Sequence, residues 1–131
     1  NEVSGFSYVF ISVDKNEVRS MICKELLKMN IPFFDVGLGV NRQNDSLIGT
    51  IRVTTVTSDK NDHLRNRIGS EESNENEYAT NIQMAELNCL NATLAVIRWK
   101  KKCGFYQDLK GEHNQLYCIN TNKIINDDHH I

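Results

Sequence analysis

Hydrophobic and polar positions predict a strand, a helix and a second strand in the first part of the chain. Residues 7–13 form a mainly apolar run rich in β-branched and aromatic side chains, which indicates a buried strand. Across residues 15–29, apolar side chains recur at steps of three and four, which predicts an amphipathic helix that ends at Asn30. A second apolar run follows Pro32. This order predicts a βαβ unit with two parallel strands.

The remaining pattern adds a strand, a long helix and a hairpin. Residues 49–53 are predicted to form a further strand, antiparallel to its neighbour. Residues 79–102 are predicted to form one helix, and Gly104 ends it. Apolar side chains cover so much of the circumference of this helix that we expect it to be largely buried. Residues 115–125 then suggest a terminal β-hairpin.

Asp14 lies where the first strand gives way to the helix. The carboxyl end of a buried strand is where open α/β sheets bind their ligands, so the position favours a ligand-binding role. A second interpretation is a capping box with Glu17, in which the Asp14 side chain accepts a hydrogen bond from an N–H of the first helical turn. The two roles can coexist, and the sequence leaves both open.

Three segments resemble the second half of the ThiF/MoeB-like fold, the fold of ubiquitin-activating-type enzymes: residues 13–19, 31–37 and 49–53. In that family a strand ends in Asp, an Arg follows five residues later, a Pro opens the next strand, and a Gly-containing turn leads to a further strand. The matching positions here are Asp14, Arg19, Pro32, and the pair Gly37 and Gly39. The stretch 80–97 resembles the long helix that closes the fold. The resemblance covers most of residues 6–125.

The resemblance implies a partial Rossmann-like α/β fold and an ATP-dependent reaction. Enzymes of this family adenylate the C-terminal glycine of a ubiquitin-like or sulfur-carrier protein, and many act as homodimers. By match to the family, Asp14 would hold or orient the Mg²⁺-bound triphosphate of ATP, and Arg19 would support the loop that carries Asp14. Gly37 and Gly39 would let the backbone turn tightly beside the nucleotide cleft.

The glycine-rich phosphate loop of the family has no counterpart in this sequence. Relatives carry that loop upstream of the strand that bears Asp, whereas here only a few residues precede Tyr8. Gly37-Leu38-Gly39 lacks the third glycine and the following helix that the loop needs. We therefore expect residues 1–131 to be one unit, the C-terminal part of a ThiF-type domain without its nucleotide-binding half, and inactive alone. The alternative is a non-catalytic ThiF-like domain for interaction or dimerisation.

Residues 57–78 have little to bury and are predicted to form a flexible crossover loop. This loop either is only a solvated connection or passes over the cleft and contacts the tail of the carrier protein. The chain has four cysteines and no C-x-x-C pair, so we expect no structural zinc. Cys23 and Cys89 lie in helical patterns and are predicted to be buried.

The composition and charge of the chain limit the classes of binding partner that we expect. The net charge of -2 supplies no basic field, and the aromatic residues are not interleaved with Lys or Arg, so we expect no nucleic-acid binding. No apolar stretch is long enough to cross a membrane, and the beginning of the sequence shows no signal pattern. With the family resemblance, these features lead us to expect a cytoplasmic protein.

Overall fold

The strands that the structure describes form one five-stranded mixed sheet. The computed structural model describes residues 5–58 and 82–126. The elements in chain order are β1 (Val9–Ile11), α1 (Asn16–Lys28), β2 (Phe33–Gln43), β3 (Ser46–Val56), α2 (Ala85–Lys102), β4 (Asn114–Cys118) and β5 (Lys123–Asn126). The strands lie in the order β1-β2-β3-β4-β5; β1 and β2 are parallel, and the other neighbours are antiparallel. The predicted α/β class, βαβ unit, antiparallel strand and terminal hairpin are confirmed.

The two helices cover opposite faces of the sheet. Ile11 and Phe33 pack with Leu26 of α1 in a buried apolar cluster. Phe10 instead stacks on Phe34 with ring centroids 5.3 Å apart, and its ring lies 6.1 Å from that of Trp99 in α2. Because successive side chains of a strand point to opposite faces, α1 lies on one side of the sheet and α2 on the other.

The start of α1 differs from the capping-box prediction, and its end agrees with the sequence. Lys15 is the N-cap residue, and no side chain makes a capping hydrogen bond. The capping interpretation of Asp14 is therefore wrong, because the helix begins one residue later than that motif requires. At the other end Asn30 adopts a left-handed conformation with φ 56°, and the N–H of Ile31 bonds the carbonyl of Leu26 at 3.0 Å. This geometry satisfies carbonyls of the last turn and ends the helix.

A long hairpin replaces the predicted short strand and glycine turn. β2 and β3 pair without interruption from Phe33↔Val56 to Gln43↔Ser46, and a two-residue turn with Asn44 at φ 57° joins them. Gly37 and Gly39 lie inside β2, so the prediction of a tight turn at these glycines is wrong. β3 is rich in β-branched residues and pairs with β2 along its whole length. This pairing outweighs the low strand propensity of the two glycines.

The helix α2 is less buried than its sequence suggests. Its buried residues are Asn91, Ala95 and Arg98, whereas Val96 and Ile97 are more than one-third exposed. Only one face of α2 packs on the sheet, so the prediction of a largely buried helix is wrong, and the predicted burial of Cys89 is wrong for the same reason. The burial predicted for Cys23 is confirmed.

Two sequence predictions concern residues that the structure does not describe. The crossover loop lies outside the described residues from position 59 onward, and so do residues 79–81 of the predicted long helix. Residues 82–84 are described and are not helical, so the prediction is wrong there and the helix begins at Ala85. Within the described ranges, neither helix is long and apolar enough to cross a membrane.

Candidate functional site

A cavity of about 710 Å³ lies at the carboxyl end of β1. Asp14, Arg19, Gly37 and Gly39, the positions that match the family motifs, all line it. The β3 side of the cavity contributes Arg52, and further polar residues come from the β1–α1 segment, β3 and the α2 region: Asn16, Thr50, Gln83, Asn88 and Asn91. The fold therefore gathers onto one cavity residues that are far apart in the sequence.

Two arginines of the cavity wall converge on one buried carboxylate. Asp35 is fully buried; its Oδ2 lies 2.6 Å from Nη2 of Arg52, and its Oδ1 lies 3.0 Å from Nε of Arg19. The Arg52 contact is a hydrogen bond, whereas the Arg19 contact is an ion pair without hydrogen-bond geometry. Burial raises the pKa of the Asp35 carboxyl, and both guanidinium groups oppose that shift. The three side chains together carry one more positive than negative charge.

The register of the sheet holds Arg52 in place. Asp35 pairs with Thr54, and Thr54 pairs with Asn114, so these three side chains form a row on one face of the sheet. Nη1 of Arg52 donates to Oγ1 of Thr54 at 2.5 Å, and this hydroxyl donates to Oδ1 of Asn114 at 2.7 Å. Because the guanidinium is bonded on two sides, it has a fixed orientation toward the cavity.

Arg19 connects the buried carboxylate to the segment that carries Asp14. Its Nη2 donates to the carbonyl of Val13 at 2.6 Å, and its Nη1 donates to Oδ1 of Asn16 at 2.9 Å. These two bonds attach Arg19 to the backbone of Val13 and to the side chain of Asn16, on either side of Asp14. Asp14 itself is exposed and makes no helix cap, so its carboxylate is accessible at the cavity.

Position 37 has a steric requirement for glycine, whereas position 39 has none. A Cβ atom at Gly37 would lie 2.5 Å from Nη2 of Arg52, so the guanidinium crosses directly over this residue. A Cβ atom at Gly39 would meet nothing within 4 Å. The side chain of Arg52 can therefore reach Asp35 only because position 37 has no side chain.

We expect Gly37→Ala to destabilise the protein by about 1–3 kcal/mol, because the new methyl group must displace Arg52 from Asp35. Gly39→Ala is the matched control, and its effect should stay within about 1 kcal/mol and be stabilising, since alanine orders a strand better than glycine does. Urea unfolding of both variants measures the difference. Equal effects of the two substitutions would contradict this account of Gly37.

Asn91 contributes a buried amide to the opposite wall. Its Nδ2 donates to the carbonyl of Gly37 at 3.1 Å, which fixes the orientation of the amide. The residue is 4% exposed, and its Oδ1 has no hydrogen-bond partner within residues 5–58 and 82–126. A buried acceptor without a partner costs about 1–3 kcal/mol.

A second group of charges lies outside the cavity lining. Arg98 of α2 pairs with Asp108 and Glu112, and Lys101 also pairs with Glu112 at 2.9 Å. The hydrogen bond from Arg98 holds the pKa of the Asp108 carboxyl below its usual range. These ion pairs attach the end of α2 to the segment before β4, which is a structural role.

The acidic residues of the site are suited to a Mg²⁺ ion that the protein binds together with a nucleotide. They are less suited to a metal ion that is held by protein ligands alone. Within the described ranges, no group of three or more His, Cys, Asp or Glu side chains could hold a metal ion. Mg²⁺ commonly binds through one or two carboxylates together with substrate phosphates. Asp14 offers one accessible carboxylate on the cavity, which is the donor set such a complex needs.

The sequence patterns do not identify Asp35 or Arg52 as site residues, and for Asn91, as for Asn81 and Asn88 of the same predicted helix, they leave open a backbone partner or a cleft-lining role. Asp35 had a visible signal, because it is a charged residue inside the apolar run 33–36, and a buried carboxylate requires a cationic partner. Arg52 is a similar case inside β3. Asn91 gave no such signal, since several asparagines in the same helix look equivalent in the sequence.

No protein-family model matches this sequence, and a comparison with curated proteins finds no match. The candidate site combines an accessible carboxylate, two guanidinium groups with a surplus of positive charge, and the backbone of a strand around one cavity.

Proposed function

We propose that this chain is the C-terminal part of a ThiF/MoeB-like, ATP-dependent enzyme that adenylates the C-terminal glycine of a ubiquitin-like or sulfur-carrier protein. The observation that carries the proposal is the meeting of Asp14, Arg19, Gly37 and Gly39 on one cavity at the carboxyl end of β1. In an open α/β sheet this is the place where ligands bind. The volume of about 710 Å³ lies within the range of cofactor sites.

The reaction joins a carboxylate to a phosphoryl group. The terminal carboxylate of the carrier attacks the α-phosphate of ATP, a P–O bond to that carboxylate forms, and pyrophosphate leaves. When bound, Mg²⁺ neutralises the charge that develops on the phosphates. Asp14 would orient this ion, and Arg19 would keep Asp14 in position through its bond to the Val13 carbonyl.

The surplus positive charge of the Arg19–Asp35–Arg52 group supports an anionic ligand. Asp35 neutralises only one of the two guanidinium groups, and both arginine side chains line the cavity. Their exposed fractions are 11% and 14%, so solvent screens this charge less than it would screen charges on an open surface. A carboxylate or phosphate in the cavity would therefore be attracted to the arginine wall.

The cradle for the phosphates belongs, under this proposal, to a separate upstream segment of a longer protein. The glycine-rich strand-turn-helix that performs this task in the family has no match among residues 1–131. The chain alone would then bind Mg-ATP weakly and catalyse no pyrophosphate exchange. Micromolar binding of Mg-ATP by residues 1–131 in a calorimeter would overturn this division of roles.

The experiment that tests the function is adenylate formation by the longer protein. That protein is incubated with Mg-ATP and with each small protein of the same genome that ends in Gly-Gly. We expect one such protein to gain the mass of one adenylyl group and to stimulate exchange of labelled pyrophosphate into ATP. Removal of its last glycine should abolish both signals. No mass gain on any candidate would contradict the proposal.

The alternative is a non-catalytic ThiF-like domain for interaction or dimerisation. It is favoured by β1, which is an edge strand of the sheet with two exposed aromatic residues nearby, Phe6 at 58% and Phe10 at 43%. Exposed apolar groups beside a strand edge are common at protein interfaces. A homodimer in sedimentation, combined with no adenylate formation by the longer protein, would support this alternative.

A further inference from the structure

The edge of β2 is only partly covered by its neighbour. β1 pairs with β2 from Val9↔Phe33 to Ile11↔Asp35, whereas β2 continues to Gln43. Beyond Asp35, the described residues provide no strand partner on this side. The cavity follows the uncovered edge and is lined by Val36, Gly37, Leu38, Gly39, Val40 and Asn41. Strand backbone therefore forms one wall of the candidate site.

The backbone groups that face this edge can be identified from the hydrogen bonds of the sheet. The carbonyl of Pro32 accepts a bond from the N–H of Val9 at 3.2 Å, so the even-numbered residues along β2 direct their N–H and C=O groups toward β1. Leu38 and Val40 consequently direct these groups into the cavity. Gly37 and Gly39 direct theirs toward β3, where they belong to the antiparallel ladder. An uncovered strand edge of this kind is a template for another strand.

The side chains around the edge are suited to a peptide. The amide of Asn91 bonds the carbonyl of Gly37, which faces β3, so it does not occupy the edge toward which Leu38 and Val40 direct their backbone groups. Arg19 and Arg52 provide the surplus positive charge that a terminal carboxylate needs. Gly39 leaves open space over the face of the strand, so the side chains of a bound chain have room there.

We propose that an extended C-terminal peptide binds in this cavity as an added strand on β2. Its main chain pairs with Leu38 and Val40, and its terminal carboxylate lies toward the two arginines. This inference rests on the proposed function and describes how the tail of the carrier protein is held. Because the contacts are made to backbone, recognition depends on an extended conformation and small side chains rather than on a particular sequence.

The experiment uses residues 1–131 labelled with ¹⁵N and a hexapeptide of small residues that ends in Gly-Gly with a free carboxylate. Without peptide, we expect the amide protons of Leu38 and Val40 to exchange rapidly with solvent, and those of Gly37 and Gly39 to be protected. Bound peptide should slow exchange at Leu38 and Val40 only. Protection of Leu38 and Val40 before peptide is added would show that residues 59–81 or a second copy already cover the edge, which overturns the proposal.

N-methylated peptides test the main-chain pairing directly. Two versions of the hexapeptide carry N-methyl groups at alternate residues: in one phase at the odd-numbered residues of the peptide, and in the other phase at the even-numbered residues. We expect one phase to bind about tenfold more weakly or worse, because it loses the N–H groups that pair with β2, and the other phase to bind almost normally. Equal binding by both phases, or no binding of the unmodified peptide at millimolar concentration, would overturn strand addition.

Variants of Leu38 repeat the test from the side of the protein. Leu38→Pro removes the N–H that faces the cavity and leaves the ladder with β3 intact, so peptide affinity should fall about fivefold or more. Leu38→Ala keeps this N–H and is the matched control. Asp45→Asn, a change at an exposed turn residue that does not line the cavity, should bind the peptide normally, and strand addition needs no ATP. Failure of peptide binding in a protein that still forms the adenylate would therefore reject strand addition alone.

Discussion

Asp35→Asn is expected to destabilise the protein by about 3–5 kcal/mol, the cost of leaving a buried charge without its partner. Asn has nearly the same shape as Asp, so the loss reports the missing charge rather than a cavity. Arg19 and Arg52 would both remain in a buried environment, and burial already lowers the pKa of the Arg52 guanidinium. Urea unfolding, followed by circular dichroism, measures the change in the free energy of unfolding.

Asp14→Asn is the matched control for this experiment, because it makes the same chemical change at an exposed residue that caps no helix. Its effect on the free energy of unfolding should remain within about 0.5 kcal/mol. A loss below about 1 kcal/mol for Asp35→Asn would show that the two guanidinium groups do not depend on this carboxylate.

The second large effect is expected on catalysis. In the longer protein, Asp14→Asn should slow pyrophosphate exchange about a hundredfold or more, because the amide carries no charge and binds Mg²⁺ poorly. Stability should change little, for the reason given above. The measurement compares exchange rates at saturating Mg-ATP and carrier protein.

Asp45→Asn serves as the activity control, since Asp45 is an exposed carboxylate in the turn between β2 and β3. Its exchange rate should equal that of the unmodified protein. An unchanged rate in Asp14→Asn would remove Asp14 from the mechanism. A large loss of stability in the same variant would instead assign Asp14 a structural role that its exposed position does not suggest.

The order of elements could be predicted because each has a clear hydrophobic period. The helical spacing across α1 and the apolar run at the start of β2 are local features, and they determine the βαβ unit. The length of β2 could not be predicted in the same way. Its glycines have low strand propensity, and the strand persists because β3 pairs with it along its whole length.

Part of the candidate site could also be predicted from a local feature of the sequence. Asp14 follows a predicted strand, and that position alone places it where α/β sheets bind ligands. The partners of Asp35 depend on the register of the sheet and on the packing of α1. Arg19 comes from the helix before Asp35 in the sequence, and Arg52 comes from the strand after it. Such contacts arise only when a helix and a hairpin are assembled, and no local pattern encodes them.

The hairpin formed by β2 and β3 has a consequence for the order of folding. Its pairs close from the Asn44 turn outward, so the first contacts join residues that are near in sequence. Contacts of this kind have a low entropic cost and form within microseconds in isolated hairpins. β4 must instead pair with β3 across the long segment that contains α2. We therefore expect the half of the sheet that carries Asp35 and Arg52 to be assembled first, with α2 and the terminal hairpin completing the cavity afterwards.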